Sequence, residues 1–433
     1  MITALLIIGS LLIVLMTGMP VAFALIGISA VLLWYFLGST ALFMIVSASF
    51  KQARTEVFIA IPLFVFMASV LQFSGIATTM YNTMRMWTGR LKGGLAIATV
   101  IISAVLAALS GIGATATVAM GLIALPEMIG KKYNKHLVVG SITAGGALGP
   151  LIPPSNLLII VGGYASLSVG KLFMGGIIPG LLCTMLYSLY IGVQCTRHPE
   201  YGPALPPEEL ATPMEKIRAI PKVILPILLI VTVLGGIYGG IFTPTEAAGF
   251  GAVGSLIIAG VSRKLTFGNL YDGLKLSFKV TGMIMWLVIG GGCYSTLVTT
   301  TGTATLISEF LTNIPFGATG VISVMLGITL VLGMFIDPVA ITMICVPVFL
   351  PVLTALSIDP LWFMLLFSLA TCIGYITPPF GLNIFYMKGV VPGYINLFDI
   401  YRGVIPFCII KILVLILCIV FPGLLTWLPG LMD

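Results

Sequence analysis

The chain has 433 residues, of which 59% are hydrophobic and only 8% are charged, and its mean hydropathy is +1.19. A soluble globular protein carries about 25% charged residues, and one soluble core could not bury this much apolar surface, so a soluble domain is excluded. The formal net charge of +7 comes from basic residues scattered over short loops. That scatter reflects membrane topology and excludes a nucleic-acid partner.

Apolar runs separated by polar gaps predict an all-α polytopic membrane protein, because a spanning helix needs roughly 20 apolar residues. The N-terminus is apolar from Ile2 and has no basic region before it, so we interpret it as a retained span and not a signal peptide. The predicted helices are 1–18, 19–38, 57–76, 137–165, 172–194, 220–241, 245–262, 280–300, 361–388 and 403–425.

Two further apolar segments, 93–130 and 316–354, are too long for one span and carry helix breakers near their middle. The breakers are the run 110–113 (Ser-Gly-Ile-Gly) in the first, and Gly333 with Asp337-Pro338 in the second. Each segment is therefore predicted to be a re-entrant hairpin, with its tip covered by protein or facing a water-filled cavity.

The positive-inside rule assigns the two hairpins to opposite sides of the membrane. Lys and Arg flank the first hairpin on both sides, whereas Asn313, Pro315 and Asp359 flank the second. Both termini then lie outside. Lys51 and Arg54 also fall outside, against the rule, unless an interfacial helix holds them.

The two halves of the chain resemble each other when their numbering is shifted by 225 to 227. The matches include the Pro-Pro pairs 153–154 and 378–379, and Pro179 with Pro406. We therefore predict a first repeat over 1–194, a cytoplasmic linker over 195–219 and a second repeat over 220–433. Five spans and one hairpin per repeat make the second copy inverted, an arrangement typical of transporters.

Four broken segments are expected to meet at the middle of the membrane: the two hairpin tips and the segments 149–156 and 374–383. Pro-Pro cannot sit inside a regular helix. Each break exposes backbone carbonyls that suit Na⁺, and half-helix N-termini that favour a carboxylate. The corresponding stretches 41–56 and 265–280 are interpreted as interfacial helices.

Asp337 is the most informative single residue, because a carboxylate at mid-membrane is costly unless it is paired. It either helps hold a cation or shapes the solute cavity, or else it caps the hairpin through backbone N–H groups. Glu246 has a structural interpretation: Thr243, Pro244 and Glu246 form the pattern of a capping box with Pro at the first helical position.

These features together resemble the large membrane subunit of tripartite ATP-independent periplasmic (TRAP) transporters over essentially the whole chain. The resemblance rests on the run 239–248 (GGIFTPTEAA), the Ser110-Gly111 tip, the run 149–155 (GPLIPPS), the Asp337-Pro338 tip, and the run 376–381 (ITPPFG). Members often carry a second hydroxyl at the first tip, where this sequence has Ile112.

The resemblance implies Na⁺-coupled uptake of a carboxylate-bearing solute, such as a C4-dicarboxylate, keto acid, sugar acid or sialic acid, through the bacterial cytoplasmic (inner) membrane. It implies two partners besides membrane lipids: a soluble periplasmic binding protein and a small four-helix membrane subunit, expected to be a separate polypeptide. It also implies an elevator, in which a transport domain with both hairpins moves against a scaffold of the other helices.

The resemblance also assigns site residues by position. Ser110, Ser155 and Asp337 are expected to face the solute. Backbone carbonyls are expected to hold the sodium ions. The ligands of the first ion would be Ser110, Gly111 and Gly113 facing Leu151 and Pro153, and those of the second would be Gly333, Phe335 and Asp337 facing Tyr375 and Thr377.

The residues leave other classes open. A channel with re-entrant pore loops, or the permease of another uptake system, would show similar breaks. A primary pump is disfavoured because no phosphate-binding loop ending in Gly-Lys-Ser/Thr occurs. An enzyme is not expected, because the membrane-depth residues include one prominent acid, no buried His and no His-Glu-x-x-His motif. The seven cysteines show no metal-ligand spacing.

Overall fold

In a computed structural model of the chain, residues 2–111, 113–312 and 317–432 are described, and every regular element among them is a helix. Ile112 of the predicted first tip, and Asn313 and Pro315 beside the second hairpin, lie outside these residues. The prediction of an all-α polytopic protein is confirmed: within the described ranges, eight helices are long and apolar enough to cross a membrane, or nine if one bent pair counts as a single span.

The described residues of the first half form ten α-helices. They are α1 (Ile2–Met16), α2 (Val21–Leu37), α3 (Ala41–Ala53), α4 (Ala60–Phe73), α5 (Ile76–Thr88), α6 (Gly94–Ser110), α7 (Gly113–Gly130), α8 (Lys135–Gly146), α9 (Asn156–Ala165) and α10 (Val169–Arg197). A 3₁₀ helix, Glu56–Ile59, leads directly into α4.

The second half begins after a connection that carries two 3₁₀ turns. Its helices are α11 (Pro213–Ala219), α12 (Pro221–Tyr238), α13 (Pro244–Val261), α14 (Phe267–Thr300), α15 (Thr303–Thr312), α16 (Gly317–Phe335), α17 (Pro338–Ala355), α18 (Pro360–Gly374), α19 (Leu382–Lys388), α20 (Leu397–Val420) and α21 (Gly423–Thr426).

Two helices of the first half have counterparts in the second half that start 225 to 227 residues later, the same shift in numbering that relates the two halves of the sequence. The start of α15 corresponds to that of α5, and the start of α17 corresponds to that of α7. Gly75 and Gly302 precede α5 and α15 in the same left-handed conformation, with φ of 67° and 68°. Only glycine adopts this conformation without strain, so the two halves use the same residue for the same turn.

Two predicted boundaries are wrong. The segments 265–280 and 280–300 are not an interfacial helix followed by a span, because α14 runs unbroken from Phe267 to Thr300. At 1.5 Å per residue its 34 residues extend over about 51 Å. The segment contains no Pro, and the packing of α14 against α2 and α4 favours one continuous helix. Helices α5 and α15 were also not predicted as separate elements.

The predicted capping box is confirmed. Thr243 Oγ1 accepts a hydrogen bond from the Glu246 amide at 3.2 Å, and Glu246 Oε2 accepts one from the Thr243 amide at 2.8 Å. These two bonds satisfy backbone donors that the first turn of α13 would otherwise leave unpaired. Asp359 starts α18 in a related way, because its Oδ1 accepts from the Leu361 amide at 2.9 Å.

Glycines allow the central helices to cross at very short distance. A Cβ placed on Gly140 of α8 would lie 2.2 Å from the Gly403 carbonyl oxygen of α20. A Cβ placed on Gly176 of α10 would lie 2.4 Å from the carbonyl oxygen of Leu151. Such contacts are typical of membrane helices, where small residues let backbones approach, and here they hold the chain closely around the first break.

The segment between the halves packs against the base of the first hairpin. The Gly93 amide donates to the Gly202 carbonyl at 2.7 Å, and the Leu205 amide donates to the Gly89 carbonyl at 2.9 Å. Glu209 forms ion pairs with Lys131 and with Arg85, the latter at 3.0 Å. The hydrogen bond from Lys131 keeps the pKa of the Glu209 carboxyl below its usual range.

Candidate functional site

The first broken segment connects α8 to α9. Its Pro153–Pro154 bond is cis, and Ser155 caps the first turn of α9. The Ser155 hydroxyl donates to the Pro150 carbonyl at 2.6 Å and accepts from the Leu158 amide at 3.4 Å. Its proton is therefore used within the protein, so the hydroxyl would have to rotate before it could donate to a bound carboxylate.

The tip of the first hairpin, between α6 and α7, packs directly on this break. Gly111 has φ of 59°, and a Cβ on it would lie 2.9 Å from the Asn156 amide nitrogen and 3.0 Å from the Pro154 carbonyl oxygen. The Asn156 side chain donates to the Ser110 carbonyl at 3.4 Å. Ser110 and Gly111 thus contact the backbone and side chain of residues 154–156, and sodium binding by these residues with Leu151 and Pro153 stays a prediction.

The second broken segment connects α18 to α19 and meets the end of α16. The Gly381 amide donates to the Met334 carbonyl at 2.8 Å. Where α16 crosses α18, a Cβ on Gly333 would lie 2.9 Å from the Gly374 Cα. Thr377 is half-buried, and its hydroxyl donates to the Ile373 carbonyl at 2.7 Å. Gly333 therefore lies against the segment with Tyr375 and Thr377.

Phe335 and Asp337 lie at the second tip in different environments. The Phe335 side chain is 54% exposed, and its ring packs on Phe380 at 4.9 Å between centroids. Only its backbone carbonyl could serve as an ion ligand. Asp337 is half-buried and caps α17, because its Oδ1 accepts from the Val339 amide at 2.9 Å. Asp337 therefore acts as a helix cap, and its binding of solute or sodium stays a prediction.

The two halves meet at the first tip. Gly113 starts α7, and a Cβ on it would lie 3.0 Å from the Tyr375 ring and 2.9 Å from the Gly146 carbonyl oxygen. On the other side, the Asn383 amide group donates to the Thr143 carbonyl of α8 at 2.8 Å. Residues from both broken segments therefore surround one hairpin tip and the end of α8.

Two asparagines in these segments were not predicted as site residues. Asn156 and Asn383 lie in the first turns of α9 and α19, and are 3% and 0% exposed. Each amide nitrogen is used, but each Oδ1 is buried without a partner among the described residues. An unpaired buried acceptor is costly. Such an oxygen suits a hard cation.

Sequence reasoning also missed Lys411 of α20, which is fully buried. Its Nζ donates to the Ala147 carbonyl at 3.0 Å and to the Cys372 carbonyl at 3.1 Å. These carbonyls belong to the ends of α8 and α18, just before the two breaks. The available sequence signal was a lone Lys within the apolar run 403–425.

A small cavity of about 20 Å³ lies beside Ser110, between α4, α5 and the first hairpin. It has room for about one water molecule. Gln72 of α4 lines it together with Thr115, and Gln72 Oε1 is buried without a partner in the described part of the chain. One polar side chain from outside the hairpin, that of Gln72, therefore lies beside the tip.

A polytopic helical protein whose two halves each pack a hairpin tip or helix end against a broken helix belongs to the class of membrane transporters. The family model of the tripartite ATP-independent periplasmic transporter, DctM component, matches residues 8–424. The chain belongs to this family. Its relatives are transporter permeases, so the prediction that the chain is a transporter and not an enzyme is confirmed.

Two relatives and one solved structure illustrate the similarity. The C4-dicarboxylate TRAP transporter large permease protein DctM of Vibrio cholerae is 31% identical over 96% of this chain and 95% of its own length. The isethionate TRAP transporter permease protein DctMQ of Oleidesulfovibrio alaskensis is 30% identical over 96% of this chain, which spans 65% of that longer protein. The crystal structure of the Alcanivorax borkumensis YdaH transporter has a similar fold, with a TM-score of 0.67, 13% identity, and coverage of 98% and 99%.

Proposed function

We propose that this chain is the large subunit of a Na⁺-coupled secondary transporter in the bacterial cytoplasmic (inner) membrane. It imports a carboxylate-bearing solute that a periplasmic binding protein delivers. The observation that carries the proposal is the packing of the Gly111 tip on the Pro154–Asn156 backbone, with the parallel contact of Gly381 with Met334 in the second half. Each pairing gathers backbone carbonyls at a helix break.

Two sodium sites follow from these pairings. Carbonyls of Ser110, Gly111, Gly113, Leu151 and Pro153 supply the first, and those of Gly333, Phe335, Asp337, Tyr375 and Thr377 supply the second. Na⁺ is a hard cation that takes oxygen ligands, and the unpaired Oδ1 atoms of Asn156 and Asn383 supply one side-chain oxygen beside each break. The unpaired oxygens support the assignment because a bound cation would satisfy them.

The solute binds between the two sites, beside Ser110, Ser155 and Asp337. Its carboxylate is drawn by the bound sodium ions and by the amino-terminal end of α9, whose first amides carry partial positive charge. The C4-dicarboxylate and isethionate named for the two relatives are both small organic anions, which supports an anionic solute here. Candidate solutes are C4-dicarboxylates, keto acids, sugar acids and sialic acid.

Alternating access is an elevator movement of inverted repeats. The moving unit contains both hairpins and both broken helices, and the long helix α14 with α2, α3 and α4 forms the scaffold. The recurring starts of α5 and α15 and of α7 and α17, and the extensive pairing of α14 with α2 and α4, support this division. The longer DctMQ relative supports a second membrane subunit, because fusion with a small four-helix partner would lengthen the chain in this way.

Sodium coupling gives this arrangement its driving force. Moving one net positive charge across 100 mV is worth about 2.3 kcal/mol, which corresponds to roughly 50-fold accumulation. Two Na⁺ ions entering with one monoanion would carry that net charge, before the sodium concentration gradient is counted. A channel would give no accumulation.

The test is uptake into proteoliposomes that contain this chain and its small membrane partner. We expect accumulation of an organic acid only with an inward Na⁺ gradient and with the binding protein outside, and without ATP. Replacing Na⁺ with K⁺ should abolish it. Flux that only equalises the solute, or that ignores Na⁺, would favour the channel and contradict the proposal.

A further inference from the structure

The buried lysine of α20 occupies an unusual place in the fold. Lys411 Nζ donates to one carbonyl from each half of the chain, Ala147 at 3.0 Å and Cys372 at 3.1 Å. Ala147 and Cys372 are equivalent positions, because the same shift in numbering that superimposes the two Pro-Pro pairs superimposes them. One ammonium group therefore binds the same position of both broken helices.

The partners explain how a lysine is tolerated here. Ala147 is the cap residue at the carboxyl end of α8, and Cys372 lies in the last turn of α18. Carboxyl ends of helices carry partial negative charge and unpaired carbonyls, which favour a cation. The ionisable side chains that face the ammonium in the described part of the chain are the thiols of Cys183, Cys372 and Cys408.

The position of the first half that corresponds to Lys411 is occupied by a threonine. Gly176 and Pro179 of α10 correspond to Gly403 and Pro406 of α20, and the same correspondence sets Thr184 opposite Lys411. The Thr184 hydroxyl donates within its own helix, to the Gly180 carbonyl at 2.9 Å. Lys411 thus has no lysine counterpart at the corresponding position of the first half.

The carbonyls that Lys411 holds adjoin the proposed sodium ligands. Leu151 lies one helical turn after Ala147, and Tyr375 lies one turn after Cys372. Between them the chain forms tight turns: the Leu151 amide donates to the Leu148 carbonyl at 3.0 Å, and the Tyr375 amide donates to the Thr371 carbonyl at 2.9 Å. A shift of either helix end would therefore move the ligands in that half.

We infer that Lys411 is a positioning residue that fixes the carboxyl ends of α8 and α18 to each other and thereby couples the two proposed sodium sites. This inference rests on the proposed Na⁺-coupled transport. It also assigns α20 to the moving unit, because the ammonium binds both broken helices at once. Loss of this bridge should weaken sodium binding in both halves together and reduce cooperativity between the ions.

The experiment compares Lys411→Met, which keeps the length of the side chain but donates no hydrogen bond, with Lys411→Arg, which keeps charge and donors. The matched control is Lys388→Met, because Lys388 also donates to a backbone carbonyl, that of Ile395 at 2.7 Å, away from the ends of α8 and α18. Initial uptake is measured against Na⁺ concentration at saturating solute and binding protein.

We expect Lys411→Met to raise the half-saturating Na⁺ concentration by about tenfold and to lower the Hill coefficient toward 1, with a smaller change in the solute KM. Lys411→Arg should recover part of the sodium affinity, and Lys388→Met should match the wild type. If Lys411→Met leaves too little uptake, the shift in melting temperature of the purified complex on adding Na⁺ gives the same comparison.

The possible outcomes distinguish a failure of the inference about Lys411 from a failure of the proposed Na⁺-coupled transport. A wild-type protein without Na⁺-dependent uptake would contradict the proposed function itself. A wild type with Na⁺-dependent uptake, and a Lys411→Met variant with a lower melting temperature but unchanged sodium half-saturation and Hill coefficient, would overturn the inference and leave Lys411 a purely structural residue.

Discussion

Gly333 and Gly374 touch each other backbone to backbone where α16 crosses α18. A Cβ on Gly374 would lie 2.6 Å from the Gly333 Cα and 2.9 Å from the Leu330 carbonyl oxygen. Any side chain here would separate the second hairpin from the broken helix that it faces. This contact is the counterpart, in the second half, of the tight packing around Gly111 in the first.

Gly374→Ala should therefore destabilise the protein by about 1–3 kcal/mol, the usual cost of overpacking a tight core, and should greatly reduce uptake. Thermal unfolding of the purified protein and initial uptake rates measure the two effects. Gly327→Ala on the same helix α16 is the control, because a Cβ there meets nothing within 4 Å. Equal effects of the two substitutions would contradict the assigned contact.

Gly111→Ala should impair sodium-dependent uptake more than the loss of stability from backbone strain explains. Its φ of 59° strains an L-residue, and the Cβ would press on Pro154 and Asn156. Gly240→Ala is the matched control, since Gly240 has φ of 68° and open space around its Cβ position. Both should lose about 1 kcal/mol of stability from backbone strain, but only Gly111→Ala should raise the half-saturating Na⁺ concentration.

Asp337→Asn distinguishes the effect of the helix cap from the effect of the negative charge, because it keeps the cap and removes the charge. Asn is about as good an N-cap as Asp, so the bond to the Val339 amide should persist and the melting temperature should hardly change. Uptake should fall at least tenfold if the carboxylate serves sodium or solute. Asp337→Ala should abolish uptake and also cost about 1 kcal/mol through the lost cap.

Asp359→Asn is the control for that pair, because Asp359 also precedes a proline and caps its helix through the Leu361 amide at 2.9 Å. It should leave uptake at the wild-type level. Wild-type uptake and sodium dependence in Asp337→Asn would show that Asp337 acts only as a cap.

Glu209→Gln should loosen the segment between the halves from the base of the first hairpin. The pKa of Glu209 is lowered in the folded protein by the hydrogen bond from Lys131, so its stabilising effect is present above the unfolded pKa of about 4.3. It is lost as pH falls through the lower, folded value.

The measurement is the melting temperature of wild type and Glu209→Gln across pH. A small deficit of the variant is expected near pH 7, shrinking in high salt and vanishing at acidic pH. Glu208→Gln, at the exposed neighbouring position, should show little deficit. A deficit of Glu209→Gln that persists at acidic pH would contradict the ion pair with Lys131 as its source.

Much of this protein could be predicted because its signals are local. Apolar runs located the helices, the Pro-Pro pairs located the breaks near 153 and 378, and the Thr243–Glu246 spacing predicted a capping box that the structure confirms. The run Ser-Gly at 110–111 predicted a helix break, which the end of α6 confirms. Each of these depends on residues within one or two helical turns.

The predicted helix boundaries were wrong where tertiary contacts determine the length of a helix. Nothing local distinguished one 34-residue helix α14 from a surface helix followed by a span, since the mixed composition near residue 280 suits either. The packing of α14 against α2, α3 and α4 favours the single rod. The short helices α5 and α15 were obscured because each begins directly after a glycine turn at the end of an apolar run.

The sequence by itself determined the membrane class and the four breaks, because hydropathy and backbone chemistry act over short stretches of chain, and it predicts an internal repeat. Only the tertiary structure showed what meets at those breaks. The Asn383 amide group reaches Thr143 across 240 residues, and Lys411 joins Ala147 to Cys372 across 264 and 39 residues. Such contacts depend on how helices from two halves cross, and a lone lysine in an apolar run does not reveal which carbonyls it binds.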